Sequence, residues 1–372
     1  MIRSCAGRIQ KRHENRILNA AEVCIVKKRA KILAGAILIP VSVVILLLAA
    51  AGGFYWTKLD KLQFSDGTPE ESCLFDASDN DVWEEQSRMA DAIRDLEEQE
   101  TVSAAGDVHE NNDYINILLI GTDEHTEHFS ENARGDSCMI LTIGKKDGSL
   151  KLASLERGMG VPILEGQYAG QYDWLTHTFR YGGASLMMRE VRECLKVDVE
   201  HYIRVNFATF VKGIDSVGGV DISLTEAEAA YINEFNKNGM TCVAGQNRLD
   251  GRAALEYARC RKLDSDWQRV KRQRNVIQAA INSTKDLSIP ELNELLNQVL
   301  PLVQTNLSKL EITELLLLAP KCQGASIRQM TVPIQDSYGG MVGLGGRSLF
   351  AVDFDANARA LREFMYEEAS NP

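Results

Sequence analysis

The chain has 372 residues, 45% of them hydrophobic and 25% charged, enough for one large domain or two small ones. Its net charge of −11 is unevenly spread: residues 1–31 hold nine Lys and Arg against Glu14 and Glu22, net +7, which leaves −18 on the remaining 341. So acidic a body excludes general nucleic-acid binding.

Residues 1–31 read as a basic cytoplasmic tail. From Ile32 to Thr57 no residue is charged. About 20 apolar residues cross the ~30 Å hydrocarbon core, so residues 32–56 are expected to form a transmembrane helix. Lys27, Lys28, Arg29 and Lys31 precede it and place the N-terminus inside and the rest of the chain outside. Ala49-Ala50-Ala51 offers a rival reading as a cleavage site, but the long leader and long apolar run exceed those of signal peptides. Residues 57–113 form an acidic extracytoplasmic spacer, within which Val82, Met89, Ile93 and Leu96 share one helical face.

Domain-grade patterning starts at Tyr114 and is expected to run to residue 372. Ile115–Ile120, Cys138–Ile143 and Leu150–Leu155 read as strands, the last two joined by a turn at Lys145-Lys146-Asp147-Gly148. Paired as an antiparallel meander, they gather Asp123, Arg134, Asp136 and Arg157 at one end of a sheet. Helices are expected at Ala184–Leu195, Phe207–Val217, Asp250–Tyr257, Gln268–Ser283, Pro290–Leu300, Ser308–Leu318 and near Asp355–Glu368. Strands are expected at Tyr202–Val205, Val220–Leu224, Ile327–Val332 and Leu349–Val352. The pattern predicts an α/β domain with a mixed central sheet flanked by helices. The eight cysteines contain no C-x-x-C pair, which excludes a common zinc site, and Cys138 and Cys194 are expected as buried thiols.

The segment from Arg259 to Arg274 packs seven basic residues into sixteen positions of an acidic exterior. In a helix from Gln268 onward, Arg269, Arg272 and Gln273 lie at i, i+3 and i+4. Such arginines suit bidentate phosphate recognition, and a solvated helix face is the plain alternative. Asp123 and Asp136 are hard oxygen ligands of the kind Mg²⁺ uses together with substrate phosphates. Their plain alternative is a pair of loop or capping carboxylates. No G-x-x-x-x-G-K-[ST] loop, G-x-S-x-G elbow or H-E-x-x-H site is present.

Several segments, in order, carry a family resemblance. Ile115-Asn-Ile-Leu-Leu-Ile-Gly-Thr-Asp123, Arg134-Gly-Asp136-Ser, Leu175-Thr-His177-Thr-Phe-Arg-Tyr-Gly-Gly183 and Phe210-Val-Lys-Gly-Ile-Asp215-Ser-Val-Gly-Gly-Val220 are four of them. The fifth is Leu249-Asp-Gly-Arg-Ala-Ala-Leu-Glu-Tyr-Ala-Arg259, followed by Arg261, Asp264, Asp266, Arg269, Arg272 and Gln273. Over residues 114–283 they resemble the LytR-CpsA-Psr domain. The resemblance implies a bacterial, membrane-anchored phosphotransferase that moves a glycopolymer, such as teichoic acid or capsule, from a polyprenyl-pyrophosphate lipid carrier to a peptidoglycan hydroxyl. By position it makes Asp123 and Asp136 Mg²⁺ ligands. Arg134, Arg157, Arg259, Arg261, Arg269 and Gln273 become pyrophosphate-facing residues, with Arg272 beside them for substrate. It also implies an apolar tunnel for the lipid. Asp264 and Asp266 are candidate bases by location. One departure stands out: where the family has Pro-Arg-Asp, this chain has Glu156-Arg157-Gly158. The lost acid is the feature that favours one alternative, a silent envelope receptor for lipid-linked pyrophosphate; a simple polyprenyl-pyrophosphate hydrolase using the same site is a third reading.

Overall fold

Thirteen strands can be named in chain order among the described residues: β1 (Gln63–Phe64), β2 (Tyr114–Thr122), β3 (Ser137–Gly144), β4 (Leu150–Leu155), β5 (Gly160–Pro162), β6 (Tyr172–Trp174), β7 (His201–Asn206), β8 (Val220–Leu224), β9 (Gly245–Leu249), β10 (Gln304–Thr305), β11 (Ile327–Val332), β12 (Tyr338–Leu344) and β13 (Arg347–Val352). The helices among them are α1 (Leu175–Leu195), α2 (Phe207–Ser216), α3 (Glu226–Phe235), α4 (Gly251–Arg259), α5 (Asp266–Ser283), α6 (Lys309–Cys322) and α7 (Phe354–Tyr366). The computed structural model describes Leu59, residues 62–68 and residues 107–366, less 127, 131–132, 167, 236–239, 286, 288–290, 292–293, 296–297, 323–324 and 345–346. The expected span at 32–56, the face from Val82 to Leu96, part of the expected helix at Pro290–Leu300, and Cys5, Cys24 and Cys73 lie outside the described residues. Among those residues no helix is long and apolar enough to cross a membrane. The chain divides into residues 1–60 and 61–372, and the fold is that of the second unit.

The meander forms as expected. Ile120 pairs with Cys138, and Cys138 with Leu155, both antiparallel. Its β3–β4 turn needs Gly148, which sits at φ +69° with a would-be Cβ 2.4 Å from the Lys321 carbonyl oxygen. Parallel β7 and β11 flank β2 and β4, and β10 and β1 complete a seven-stranded sheet in the order β1-β10-β7-β2-β3-β4-β11. The sheet thus takes Gln63 and Phe64 out of the expected spacer. A mixed sheet flanked by helices is the expected fold class.

Alternation along the strands sorts residues to two faces. Leu118 and Ile120 of β2, Cys138 and Ile140 of β3, and Ala153 and Leu155 of β4 join Phe179, Met187 and Val191 of α1 and Leu361 and Met365 of α7 in one closed core. Helix α1 begins earlier than the sequence suggested and breaks at Gly182–Gly183, where Gly183 takes φ +66°. Glu190 of α1 is fully buried and accepts the Leu164 N–H at 2.8 Å. Burial pushes its pKa up to about 7.

The other face is covered by a lobe built from α2, the β8–β9 hairpin, α3, α4 and α5, with its own core around Val220, Ile232, Leu249 and Ala254. Asp250 caps α4 by accepting the Ala253 N–H at 2.7 Å. Arg274 fastens α5 to the sheet: its guanidinium donates to Ser154 Oγ, Gln329 Oε1 and Thr331 Oγ1 at 3.0, 3.0 and 2.7 Å.

One charged pin crosses the end of the sheet. Arg204 of β7 is buried between the rings of Phe129 and Phe179, each 4.7 Å away. It pairs with Glu124 and donates to the Ser130 carbonyl at 2.7 Å. The loop after β2 is therefore held from the closed side.

Candidate active site

Between the open face of the sheet and the lobe lies a cavity of about 480 Å³, a size typical of small-molecule sites. Its sheet wall is Leu119 and Gly121 of β2 and, at the next alternate position just past the strand end, Asp123, with Met139 of β3 and Ile203 and Val205 of β7. Phe207, Phe210, Leu255 and Ile277 form the opposite wall. Asp123, Arg134, Asp136, Arg259, Arg261, Arg269 and Gln273 line it as well. Because β2 runs from Leu119 toward Asp123, the apolar part lies along the strands and the charged part at their end. The chamber is amphipathic, with one oily end and one ionic end.

The ionic end is a chain of shared contacts. Asp123 accepts the Arg134 backbone N–H at 3.0 Å and its Nε and Nη2 at 3.1 and 2.9 Å. The same guanidinium stands 3.8 Å from Asp136, which in turn stands 3.5 Å from Arg157. Arg157, Arg261 and Arg269 converge on Asp266 at 3.3, 3.4 and 2.9 Å. Arg259 stacks on Phe207 at 4.5 Å, and Ser137 Oγ donates to Gln273 at 3.1 Å. Three guanidiniums around one carboxylate leave positive charge to spare. Burial lowers the pKa of Arg261 and brings Arg269 down to about 10, which leaves Arg269 charged at neutral pH.

The expected rim of Asp123, Arg134, Asp136 and Arg157 is therefore one cluster, joined by Arg259, Arg261, Arg269 and Gln273. Arg272 and Asp264 do not join it. At ~100° per residue, position 272 falls on the far side of 269 from 273. There the Arg272 guanidinium is buried on Glu228 at 2.7 Å and on Asp264. Burial alone would lower its pKa, but those two carboxylates raise it overall. It is a structural ion pair. Neither expected base is free: Asp264 is engaged by Arg272, and Asp266 orients three arginines. The apolar wall was missed in the sequence, though its alternation in β2 was available once one face had been assigned to the closed core. Cys138 and Cys194 are buried thiols as expected, and both are among the five free cysteines of the described residues.

An apolar chamber closed at one end by clustered guanidiniums and carboxylates, on a mixed seven-stranded sheet, is the arrangement to be matched with known domains. The LytR_cpsA_psr family model matches residues 81–362, and the chain belongs to that family. TagU of Bacillus mycoides, named a polyisoprenyl-teichoic acid–peptidoglycan teichoic acid transferase, is 33% identical over 198 residues, 52% of this chain and 61% of that protein. TagT of Bacillus subtilis, a transferase of the same name, is 31% identical over 200 residues, 53% and 61% of the two chains. The chain thus spans about three fifths of the length of these relatives. A solved structure of YwtF (TagT) with bound octaprenyl pyrophosphate lipid has a TM-score of 0.52 and 24% identity, over 69% of this chain and 94% of that one. That likeness shows the fold.

Proposed function

We propose that the protein is an extracytoplasmic phosphotransferase of bacterial cell-wall assembly, anchored by residues 32–56. It moves a glycopolymer from a polyprenyl-pyrophosphate carrier to a peptidoglycan hydroxyl. The observation that carries this reading is the amphipathic chamber: an apolar cavity that opens on Arg134, Arg259, Arg261 and Arg269 suits a prenyl chain with a pyrophosphate head. The names of the transferase relatives and the octaprenyl pyrophosphate of the YwtF structure support it.

The residues divide the work. The acceptor oxygen bonds to the sugar-side phosphorus, the bridging P–O bond breaks, polyprenyl phosphate leaves and the hydroxyl proton passes to water. Arg157, Arg261 and Arg269, aligned by Asp266, take the charge that builds on the leaving phosphate. Arg134 and Arg259 hold the other phosphate. Leu119, Ile203 and Phe210 bind the prenyl chain and keep water from it. Asp123 and Asp136 both face one cation, the Arg134 guanidinium. Two such carboxylates fit Mg²⁺, which takes one or two of them with substrate phosphates. Among the described residues no group of three or more His, Cys, Asp or Glu is placed to hold a metal. Asp123 and Asp136 are the residues that would hold Mg²⁺, which would supply charge neutralisation for the pyrophosphate.

The test is to incubate the full-length chain in detergent with a polyprenyl-pyrophosphate-linked glycan, peptidoglycan fragments and Mg²⁺. Polyprenyl monophosphate and a glycan–peptidoglycan conjugate should appear together. Monophosphate without conjugate marks a hydrolase, and binding without either product marks a receptor.

A further inference from the structure

The acid that the family pattern places after Arg157 is replaced here by Gly158, and an acid stands before the arginine instead. The structure gives a reason for the exchange. A Cβ at position 158 would lie 3.2 Å from the Phe350 ring, which leaves little room for a side chain. Position 156 has the parity of Leu152 and Ser154, whose partner Arg274 lies on α5, so Glu156 is sent to the α5 face. Its backbone is fixed: the N–H donates to the Val332 carbonyl at 2.8 Å, and the carbonyl accepts from Met159 at 3.2 Å.

The Glu156 side chain is 1% exposed, its carboxylate oxygens accept from no N–H or hydroxyl among the described residues, and the Asp266 carboxyl stands within hydrogen-bond reach, so the two can bond only when one carries a proton. Buried polar atoms are rarely left so, and those that are call for a role. The charges that bear on it are Asp266, Arg269 and Arg274 from α5 and Arg157 from its own strand end. From β11, Gln329 and Thr331 bear on Arg274, and the Val332 carbonyl takes only the Glu156 backbone N–H. Arg269 Nε is likewise buried without a partner. The floor of the arginine cluster thus holds a second carboxyl group, hidden beneath the Asp266 on which three arginines converge.

We propose that Glu156 is a positioning residue: its buried carboxyl keeps its proton while the site holds pyrophosphate, turns its O–H toward Asp266, and leaves Arg157, Arg261 and Arg269 with one shared counter-charge. This rests on the pyrophosphate reading of the site. Burial, and after it the Asp266 carboxylate, push the Glu156 pKa up to about 7, against the pull of Arg269 and Arg157. Below that pH Asp266 is the one carboxylate the three guanidiniums share, with Asp136 beside Arg157 alone. Above it a second negative charge opposes the diphosphate and draws Arg269 toward the floor. Anion binding therefore weakens as pH rises through about 7, and the chain has a built-in pH response.

The test uses the full-length chain, its E156Q and E156A variants, and inorganic pyrophosphate as probe, with affinities measured by calorimetry from pH 6 to pH 8.5. Circular dichroism melts first establish that each variant is folded at the assay temperature. The ratio of wild-type to E156Q affinity cancels the probe's own ionisation. It should be near one at pH 6, and wild type should fall about threefold to tenfold behind E156Q at pH 8, the size expected of one charge at partly screened range. E156A, which loses the O–H as well, should bind more weakly than E156Q throughout. A ratio flat across pH, or E156A equal to E156Q, overturns the proposal and leaves the functional reading standing. No pyrophosphate binding by any of the three overturns both.

Discussion

The two faces of the sheet are made by the same strands and packed to opposite ends. On one, Leu118, Ile140 and Leu155 pack against α1 and α7 in a continuous core. On the other, Leu119, Met139 and Ile203 face a chamber of about 480 Å³. One strand therefore spends alternate residues on stability and on binding. Each face also hides an acid whose pKa is near 7: Glu190 on the closed side and Glu156 on the open side. Only the second is beside the arginines.

The sharpest way to break this contrast is at two neighbouring leucines. Leu118→Ala removes a fully buried side chain from the closed core and should cost about 2–5 kcal/mol in chemical denaturation. Leu119→Ala enlarges a space that already exists. It should cost under about 1.5 kcal/mol while weakening binding of a prenyl pyrophosphate relative to pyrophosphate itself. Equal losses of stability would mean the chamber is not open.

Asp136→Ala should lower Mg²⁺-dependent turnover by about a hundredfold or more, with under about 1 kcal/mol lost in stability, since its ion pairs are partly exposed. Wild-type rates for both D136A and D123A would remove the metal assignment. Next come two arginines one turn apart. Arg269→Lys keeps charge but loses the planar fork, and should cost about 1.5–3 kcal/mol, roughly ten- to hundredfold in kcat/KM. Arg272→Lys should instead lower the melting temperature and leave kcat/KM within about threefold, because its fork serves Glu228 and Asp264. Reversed phenotypes would exchange the roles of the two residues.

The smallest effect concerns Glu190. Its folded pKa is raised to about 7, so between its unfolded value, near 4.5, and 7 the folded chain holds a proton that the unfolded chain has lost. Stability therefore falls as pH climbs through that window and is level above it. Glu190→Gln should flatten that limb and stabilise the protein at pH 8 by about 1–3 kcal/mol. Melting curves that keep the limb in the variant would assign it to another group.

Much of this was legible in the chain. The runs at 115–120, 138–143 and 150–155, with one Asp-Gly turn, sufficed to bring Asp123, Arg134, Asp136 and Arg157 to one rim, because a meander leaves no other arrangement of strand ends. The apolar wall was not legible. β2 is buried on both faces, so its run of Ile and Leu hides the period of two that separates core from chamber. Arg272 was misplaced for a related reason: spacing of three and four gathers residues on a broad helix half, while the partner on α3 decides which way each points. Strand β8 formed where expected, at Val220–Leu224, but its partner β9 and the short pair β5–β6 went unseen, since Gly245-Gln246-Asn247 and Gly160-Val161-Pro162 have no strand-like composition.

Arg204 has a consequence for inheritance. It grips Glu124 and the Ser130 carbonyl from behind the sheet, and the loop it grips carries Arg134 into the site. The shape of that loop is thus written partly at a strand position well away from it in sequence. Positions 124 and 204 are bound to each other: a lineage that removed one charge would leave the other buried without its partner.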